Sequence, residues 1–241
     1  MRSLFKLIGK KKTIIFLDLE GTQFSHEMIA LGAYRADLDK NYRIKKIHRG
    51  IHFYVKAKNK IGRFVENLTG IHQEDLDKKG LTYKEAMKRL KKYCGYFLSR
   101  VTFCTFGTHD LRIIMKSLEN SPDADQSFCH YIAKNCIDLS AVVSRYVEDE
   151  HGNPLSLINN LKIFGVELVG EPHNPLTDAH HLMLLYKAMI DKKEVVLEEY
   201  KKVLKNLKTM PDPVKYVVKK LLDGQTVCPE EFIKSINEYI E

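Results

Sequence analysis

This sequence predicts an α/β fold, a mixed five-stranded sheet flanked by helices and followed by a helical appendage, and three observations point to it. The chain opens with three β-rich stretches joined by polar turns. It then alternates short apolar strands with segments whose apolar residues recur at helical spacing. Beyond residue 190 the strand signals stop and only helical patterns remain. Strands interleaved with helices after an opening meander pack as one sheet with helices on its faces.

The first strand is expected over about residues 13 to 19, in "TIIFLDL". "EMIALGAYRADL" and "IHFYVKAKN" supply two more strands of the meander. "RFVENLTG" and "TYKEAMKRLKKYCGYFL" read as helices, with Gly70 and Gly80 as punctuation, and "VTFCTF" as a short buried strand. "HDLRIIMKSLEN" is a helix with an acid in its first turn, and "CIDL" is the fifth strand. Helices are expected around 140–148, 155–163 and 178–190. Three more follow: "EVVLEEYKKVLKNLK" (194–208), "DPVKYVVKKLLDG" with Pro213 early and Gly224 late, and "PEEFIKSINEYI" opening at Pro229. The expected organisation is a basic segment over 1–12, a domain over 13–190 and a helical extension over 191–241.

At 241 residues the chain can build a sizeable core without staples. Its five cysteines are odd in number and form no C-x-x-C pair, which argues against a disulfide framework and a structural zinc site. No apolar run is long enough to span a bilayer and no signal-peptide pattern appears, so a soluble cytoplasmic protein without membrane contact is expected. Nothing in the sequence sets the oligomeric state. The net charge of +8 is unevenly placed: Arg35 to Arg63 carries ten Lys or Arg against two Asp. A concentrated basic segment fits a polyanion such as nucleic acid, although lysine-rich solvated surfaces look the same in sequence.

Asp18 and Glu20 stand two positions apart at the end of the first apolar run. Strand side chains alternate, so the two carboxylates point the same way and share one environment. Buried like charges need protonation, a basic partner or a metal ion. Two further acids, Asp110 and Asp178, each lie where a helix begins. Each alone is ordinary, since an acid in a first helical turn gains about 0.3–1 kcal/mol from the helix dipole. Together, strand ends and helix starts gathered at one edge of an α/β sheet are where ligand sites form. Oxygen ligands of this kind favour two Mg²⁺ or Mn²⁺ ions over zinc, and such ions serve phosphoryl displacement. Of the ten histidines, His173 alone combines a loop before a helix with close spacing to an acid, which suits a general base.

The D-x-E of "FLDLEGT", the acid of "FGTHDLRII" and the H-x4-D of "HNPLTD", in that order, resemble the DEDDh 3'-to-5' exonucleases. "FVENLTGIHQEDL" is also similar to that family's intervening stretch, and the likeness covers about residues 13 to 190. The "FGTHD" form is most similar to the branch with RNA-trimming exonucleases. The resemblance implies a ribonuclease H-like sheet, with Asp18, Glu20, Asp110 and Asp178 as metal ligands and His173 as general base. It also implies that the backbone at Gly21 and Thr22 meets the terminal nucleotide and that Phe24 stacks near it. The expected activity is metal-dependent removal of nucleoside 5'-monophosphates from the 3' ends of single-stranded RNA or DNA. Pro175 departs from the family's usual small residue, and Gln23 stands where the family often has another. "IIFLDLEGT" also resembles the first motif of haloacid dehalogenase-like phosphatases, but Glu20 replaces its second Asp and no later G-D-x-x-x-D follows. A nucleic-acid-binding module without catalysis is the remaining alternative.

Overall fold

The structure is a computed structural model that describes residues 1–170, 173–206 and 210–240. Helix α1 (Arg2–Ile8) leads into β1 (Thr13–Gly21), which pairs antiparallel with β2 (Met28–Leu38). The outer edge of β2 then receives two short strands, β3 (Ile44–Ile47) opposite Ala36–Leu38 and β4 (Ile51–Tyr54) opposite Ala30–Ala33. Helices α2 (Arg63–Thr69), α3 (Gln73–Lys79) and α4 (Tyr83–Cys94) follow. The start of α4 is fixed by a capping box in which Thr82 and Glu85 satisfy each other's backbone N–H groups.

β5 (Val101–Thr105) lies parallel to the other edge of β1. Helices α5 (His109–Asn120) and α6 (Gln126–Lys134) lead to β6 (Cys136–Asp138), parallel to β5. Helices α7 (Leu139–Val143), α8 (Leu157–Ile163) and the long α9 (Pro175–Asp191) complete the part built around the sheet. Helices α10 (Lys193–Asn206), α11 (Asp212–Leu222) and α12 (Pro229–Ile240) come last. Among the described residues none of the helices is long and apolar enough to cross a membrane.

The sheet has six strands rather than the expected five, in the order β3-β2-β1-β5-β6 with β4 also on β2. The additional strand is β3, whose central Lys45 and Lys46 conceal a β pattern. Lysines on an exposed edge strand are a common defence against edge-to-edge pairing. The third expected strand ends at Tyr54, so Lys56 and Lys58 fall in the following loop. Helices α1, α3 and α6 were not read from the sequence. The short, basic α1 nevertheless buries Leu4 and Ile8 completely in the core. α9 begins at Pro175 rather than at Asp178, because Pro suits a first helical position and the Asn174 side chain caps the N–H groups of Leu176 and Thr177. The last two residues of the helix expected over 194–208 lie outside the described residues.

Alternation along β1 divides the core between the two faces of the sheet. Ile14 and Phe16 face one cluster with α9, where Phe16 packs on Tyr186 at 5.5 Å between ring centroids. Ile15, Leu17 and Leu19 face the cluster formed with α4, α5 and α6. Each buried side chain of this size is worth about 1.5–3 kcal/mol. Asp18 and Glu20 continue the row of Ile14 and Phe16, and so emerge on the α9 face.

The approach of α9 depends on a single hydrogen atom. Gly32, the cross-strand partner of Asp18, faces the start of this helix. A Cβ there would stand 2.1 Å from the carbonyl carbon and oxygen of Pro175 and 2.3 Å from Leu176 N. Glycine inside a strand marks such backbone contact. Gly32→Ala must therefore push the N-terminus of α9 off the sheet. It should lower stability by about 1–3 kcal/mol in chemical denaturation, the usual cost of overpacking. Wild-type stability in this variant would contradict the close contact.

Candidate active site

The β1 register breaks between Glu20 and Gly21, so the strand bends away just beyond its two carboxylates. β5 pairs with β1 only as far as Phe16↔Cys104, which leaves the Leu19 N–H on that edge without a ladder partner. Asp110, in the first turn of α5 and 6% exposed, supplies one: its Oδ1 accepts the Leu19 N–H at 2.8 Å. The bond pins α5 to the segment that bears Asp18 and Glu20.

Asp178 reaches the same place from the first turn of α9, with its N–H donating to Asn174 O at 2.9 Å. His181 lies one helical turn on and is buried at 2% exposure. Its Nε2 accepts the Val169 N–H at 3.3 Å, which leaves the proton on Nδ1, 3.5 Å from Asp178 Oδ1. His173 is exposed on the loop before α9, in a left-handed conformation with φ of +59°. Both its charge and its backbone N–H act on the Asp178 carboxylate.

The electrostatics show that the four acids share one region. Burial drives the Asp18 carboxyl well above its ordinary range, and repulsion from Asp110, Asp178 and Glu20 adds to it. Burial, then Asp178 and Asp110, push Glu20 up to about 8. Asp110 rises to about 7: burial outweighs the hydrogen bonds from the N–H groups of Leu19 and Asp110 itself, and Asp138 adds repulsion. Burial also raises Asp178, against the lowering influence of His181 and His173. Among the described residues no Lys or Arg forms an ion pair with any of the four. Nor do any three His, Cys, Asp or Glu side chains there already stand in ligating positions around one point. The donor set itself, four hard carboxylate oxygens with unrelieved mutual repulsion, suits a divalent cation of the Mg²⁺ type.

Gly21, Thr22 and Phe24 form the loop that leaves β1. Thr22 is buried, its N–H committed to Glu27 O at 2.8 Å and its hydroxyl accepting the Glu27 N–H at 2.9 Å. Phe24 stands at 84% exposure on this loop. Sequence reasoning passed over Glu27, which organises the loop. Its carboxylate, 3% exposed, accepts hydrogen bonds from Ser25 Oγ at 2.9 Å, Lys58 N at 2.8 Å and the Asn59 side chain. Burial alone would raise this carboxyl, but those bonds hold it below its ordinary range. An isolated acid beside a strand offered no signal for that role. His181 was passed over among the ten histidines, whereas the glycine in "ALGAY" was a readable sign of close approach.

The family model for exonucleases of the RNase T type matches residues 15–186. A segment of 86 residues is 37% identical to the PolC-type DNA polymerase III of Mycoplasmopsis pulmonis (strain UAB CTIP), covering 36% of this chain and 6% of that polymerase. The fold is similar to the crystal structure of cell-death related nuclease 4, with a TM-score of 0.62 and 18% identity over 76% of this chain and 65% of that one. It is similar to the nuclease domain of 3'hExo, a DEDDh family member bound to rAMP, with a TM-score of 0.60 and 19% identity over 76% of this chain and 94% of that domain. It is also similar to E. coli exonuclease I in complex with a dT13 oligonucleotide, with a TM-score of 0.59 and 17% identity over 81% of this chain and 44% of that one.

The raised carboxyls set a pH dependence. In the folded state Glu20 and Asp110 titrate near 8 and 7 instead of 4.5 and 3.8, so they stabilise the fold when protonated and cease to do so as pH rises through about 7 to 8. Asp18→Asn removes one charge from the cluster. In metal-free protein its thermal midpoint should therefore exceed that of wild type, and the margin should widen from pH 5 to pH 8.5. A margin that shrinks over this range in thermal denaturation would show that the carboxylates do not repel one another.

Proposed function

The chain belongs to the exonuclease family, and from that premise we propose that it removes nucleotides stepwise from the 3' ends of single-stranded nucleic acid, in the manner of the DEDDh branch. The observation that carries this reading is the convergence of Asp18, Glu20, Asp110 and Asp178, all displaced upward by burial, with Asp18 and Glu20 raised further by repulsion from others of the four. Two ions of the Mg²⁺ or Mn²⁺ kind held by these carboxylates would polarise the phosphoryl oxygens and offset the charge that develops in an in-line displacement.

The protein's own groups have defined tasks in this reaction. Water oxygen bonds to the terminal phosphorus as the P–O3' bond breaks, which releases a nucleoside 5'-monophosphate and leaves a free 3' hydroxyl on the shortened strand. His173 accepts the proton of the attacking water, and the leaving oxygen takes its proton from solvent. The exposure and left-handed backbone of His173 favour this role, since uncommon backbone conformations concentrate at functional sites. His181, buried against Asp178, orients that carboxylate. Phe24 is free to meet the terminal base, and Gly21 and Thr22 shape the loop that presents it. Because Thr22 N–H is already bonded, its contribution is to loop geometry. The catalytic unit spans residues 13–190, and the helices over 191–241 contribute none of these groups. The phosphatase reading lacks the family match that supports the nuclease.

Single-turnover assays on matched 3'-labelled and 5'-labelled strands of RNA and DNA test the proposal. Label on the 3' end should leave first as a mononucleotide, and chelator or Asp18→Asn should abolish release. His173→Ala should lose about 10² to 10⁴ in rate, the usual worth of a positioned acid-base group, while retaining thermal stabilisation by Mg²⁺. His180→Ala serves as the neighbouring control. Cleavage from 5' ends, or full activity in chelator, would overturn the proposal, and a normal rate in His173→Ala would remove the histidine from it.

A further inference from the structure

A second charged cleft, of about 450 Å³, opens at the other end of the sheet, where β1 and β5 begin. Its walls carry Lys12, Lys45, Lys46 and Arg100, none of which enters an ion pair among the described residues. The one acid that lines it, Asp37, is already engaged: Oδ1 accepts the Thr13 hydroxyl at 2.9 Å and meets Arg35 at 3.5 Å, while Oδ2 lies 2.7 Å from His48 Nε2. The cleft therefore presents unmatched positive charge. Two aromatic rings stand beside that charge, Tyr96 at 101% and Phe97 at 65% exposure, with the Arg100 guanidinium 5.2 Å from the centre of the Phe97 ring. Gly95, with φ of +90°, lets this loop pass over Arg35, where a Cβ would stand 2.7 Å from a guanidinium nitrogen.

Tyr96 buries nothing in the free protein and Phe97 only part of its ring, and unpaired cations repel one another, so these features give the fold little. Both match what a single strand offers, a π-face on each base and a charge on each phosphate. We propose that this cleft is a second nucleic-acid site, which stacks a base on Tyr96 or Phe97 and holds the adjoining phosphates with Lys12, Lys45, Lys46 and Arg100. The proposal rests on the reading of the chain as a nuclease of single strands, and it makes the cleft an anchor for the strand behind the end being cut. Thr13 and Glu20 are seven residues apart along β1, about 23 Å at ~3.3 Å per residue. The cleft lies on the α4 face, with Thr13, Cys94 and Val101, whereas Asp18 and Glu20 emerge on the α9 face. A stacked strand rising about 3.4 Å per nucleotide must therefore also round the sheet edge and needs more than about seven nucleotides to join the two sites.

The test is binding in chelator, where no cleavage occurs, of a fluorescent 15-nucleotide strand competed by unlabelled strands of 3 to 15 nucleotides. Wild-type affinity should step up by about tenfold or more once competitors exceed about seven nucleotides, the worth of a stacked base. The step should vanish in the Tyr96→Ser, Phe97→Ser double variant, whose exposed positions leave the core untouched. Arg100→Ala should lower the slope of log affinity against log salt by about 0.7 for the long strand. The same length dependence in variant and wild type would overturn the proposal. So would displacement of the 15-nucleotide strand by free nucleoside monophosphate at equal nucleotide concentration, which would assign the cleft to free nucleotides. A chain that shows the step yet releases no mononucleotide with Mg²⁺ would refute the exonuclease reading and leave this site standing.

Discussion

Mutual repulsion among Asp18, Glu20, Asp110 and Asp178 is the constraint around which the molecule is arranged. A folded chain left to itself would separate such groups or pair them with Lys and Arg, and among the described residues this one does neither. Backbone and packing hold them together instead. The parity of β1 sends Asp18 and Glu20 to the α9 face, the Leu19 N–H holds Asp110, and the absence of a side chain at Gly32 lets α9 carry Asp178 down to the sheet. Burial by the same elements lowers the local dielectric and sharpens the repulsion. The carboxylate donor set suits the proposed cation, and its elevated proton affinity reflects the burial and repulsion that such an ion would relieve.

Rigid and adaptable parts are sorted accordingly. The acids sit on a strand and two helix starts whose apolar neighbours are fully buried, which suits groups that must keep their positions. The groups proposed to meet the strand stand on loops: Phe24 on the turn braced by Glu27, His173 before α9, and Tyr96 and Phe97 between α4 and β5. Because β1 and β5 run parallel, their ends define two edges of one sheet. The acid cluster proposed for the chemistry lies at the C-terminal edge and the basic aromatic cleft at the N-terminal edge, so the sheet sets a fixed distance between them.

Much of this was legible in the amino-acid sequence because it depended on local rules. Alternation in "IIFLDLEG" placed Asp18 and Glu20 on one face without any knowledge of tertiary structure. Helix-start signals located Asp110 and Asp178, although Pro175 moved the beginning of α9 three residues earlier, since proline fits a first helical turn. What escaped was decided by partners distant in sequence. β3 was hidden because Lys45 and Lys46 are edge-strand lysines, and their strand character comes from pairing with β2. Helix α1 is too short to be stable alone and exists because Leu4 and Ile8 find a place in the core. The structural task of Glu27 depends on a loop more than thirty residues away, and that Lys12 and Arg100 form no ion pair among the described residues is a fact of assembly.

The central claim is that the four carboxylates form one cluster whose charge is relieved by a divalent cation. Calorimetric titration of the protein with Mg²⁺ near pH 7, repeated in buffers of different ionisation enthalpy, measures the protons released when the cation binds. Glu20 and Asp110, titrating near 8 and 7, are partly protonated at that pH and must lose those protons to serve as ligands. The account therefore requires net proton release that falls toward zero as pH is raised above about 9, together with its loss in Asp18→Asn. Binding at pH 7 with no proton release, or release that survives in that variant, would contradict it.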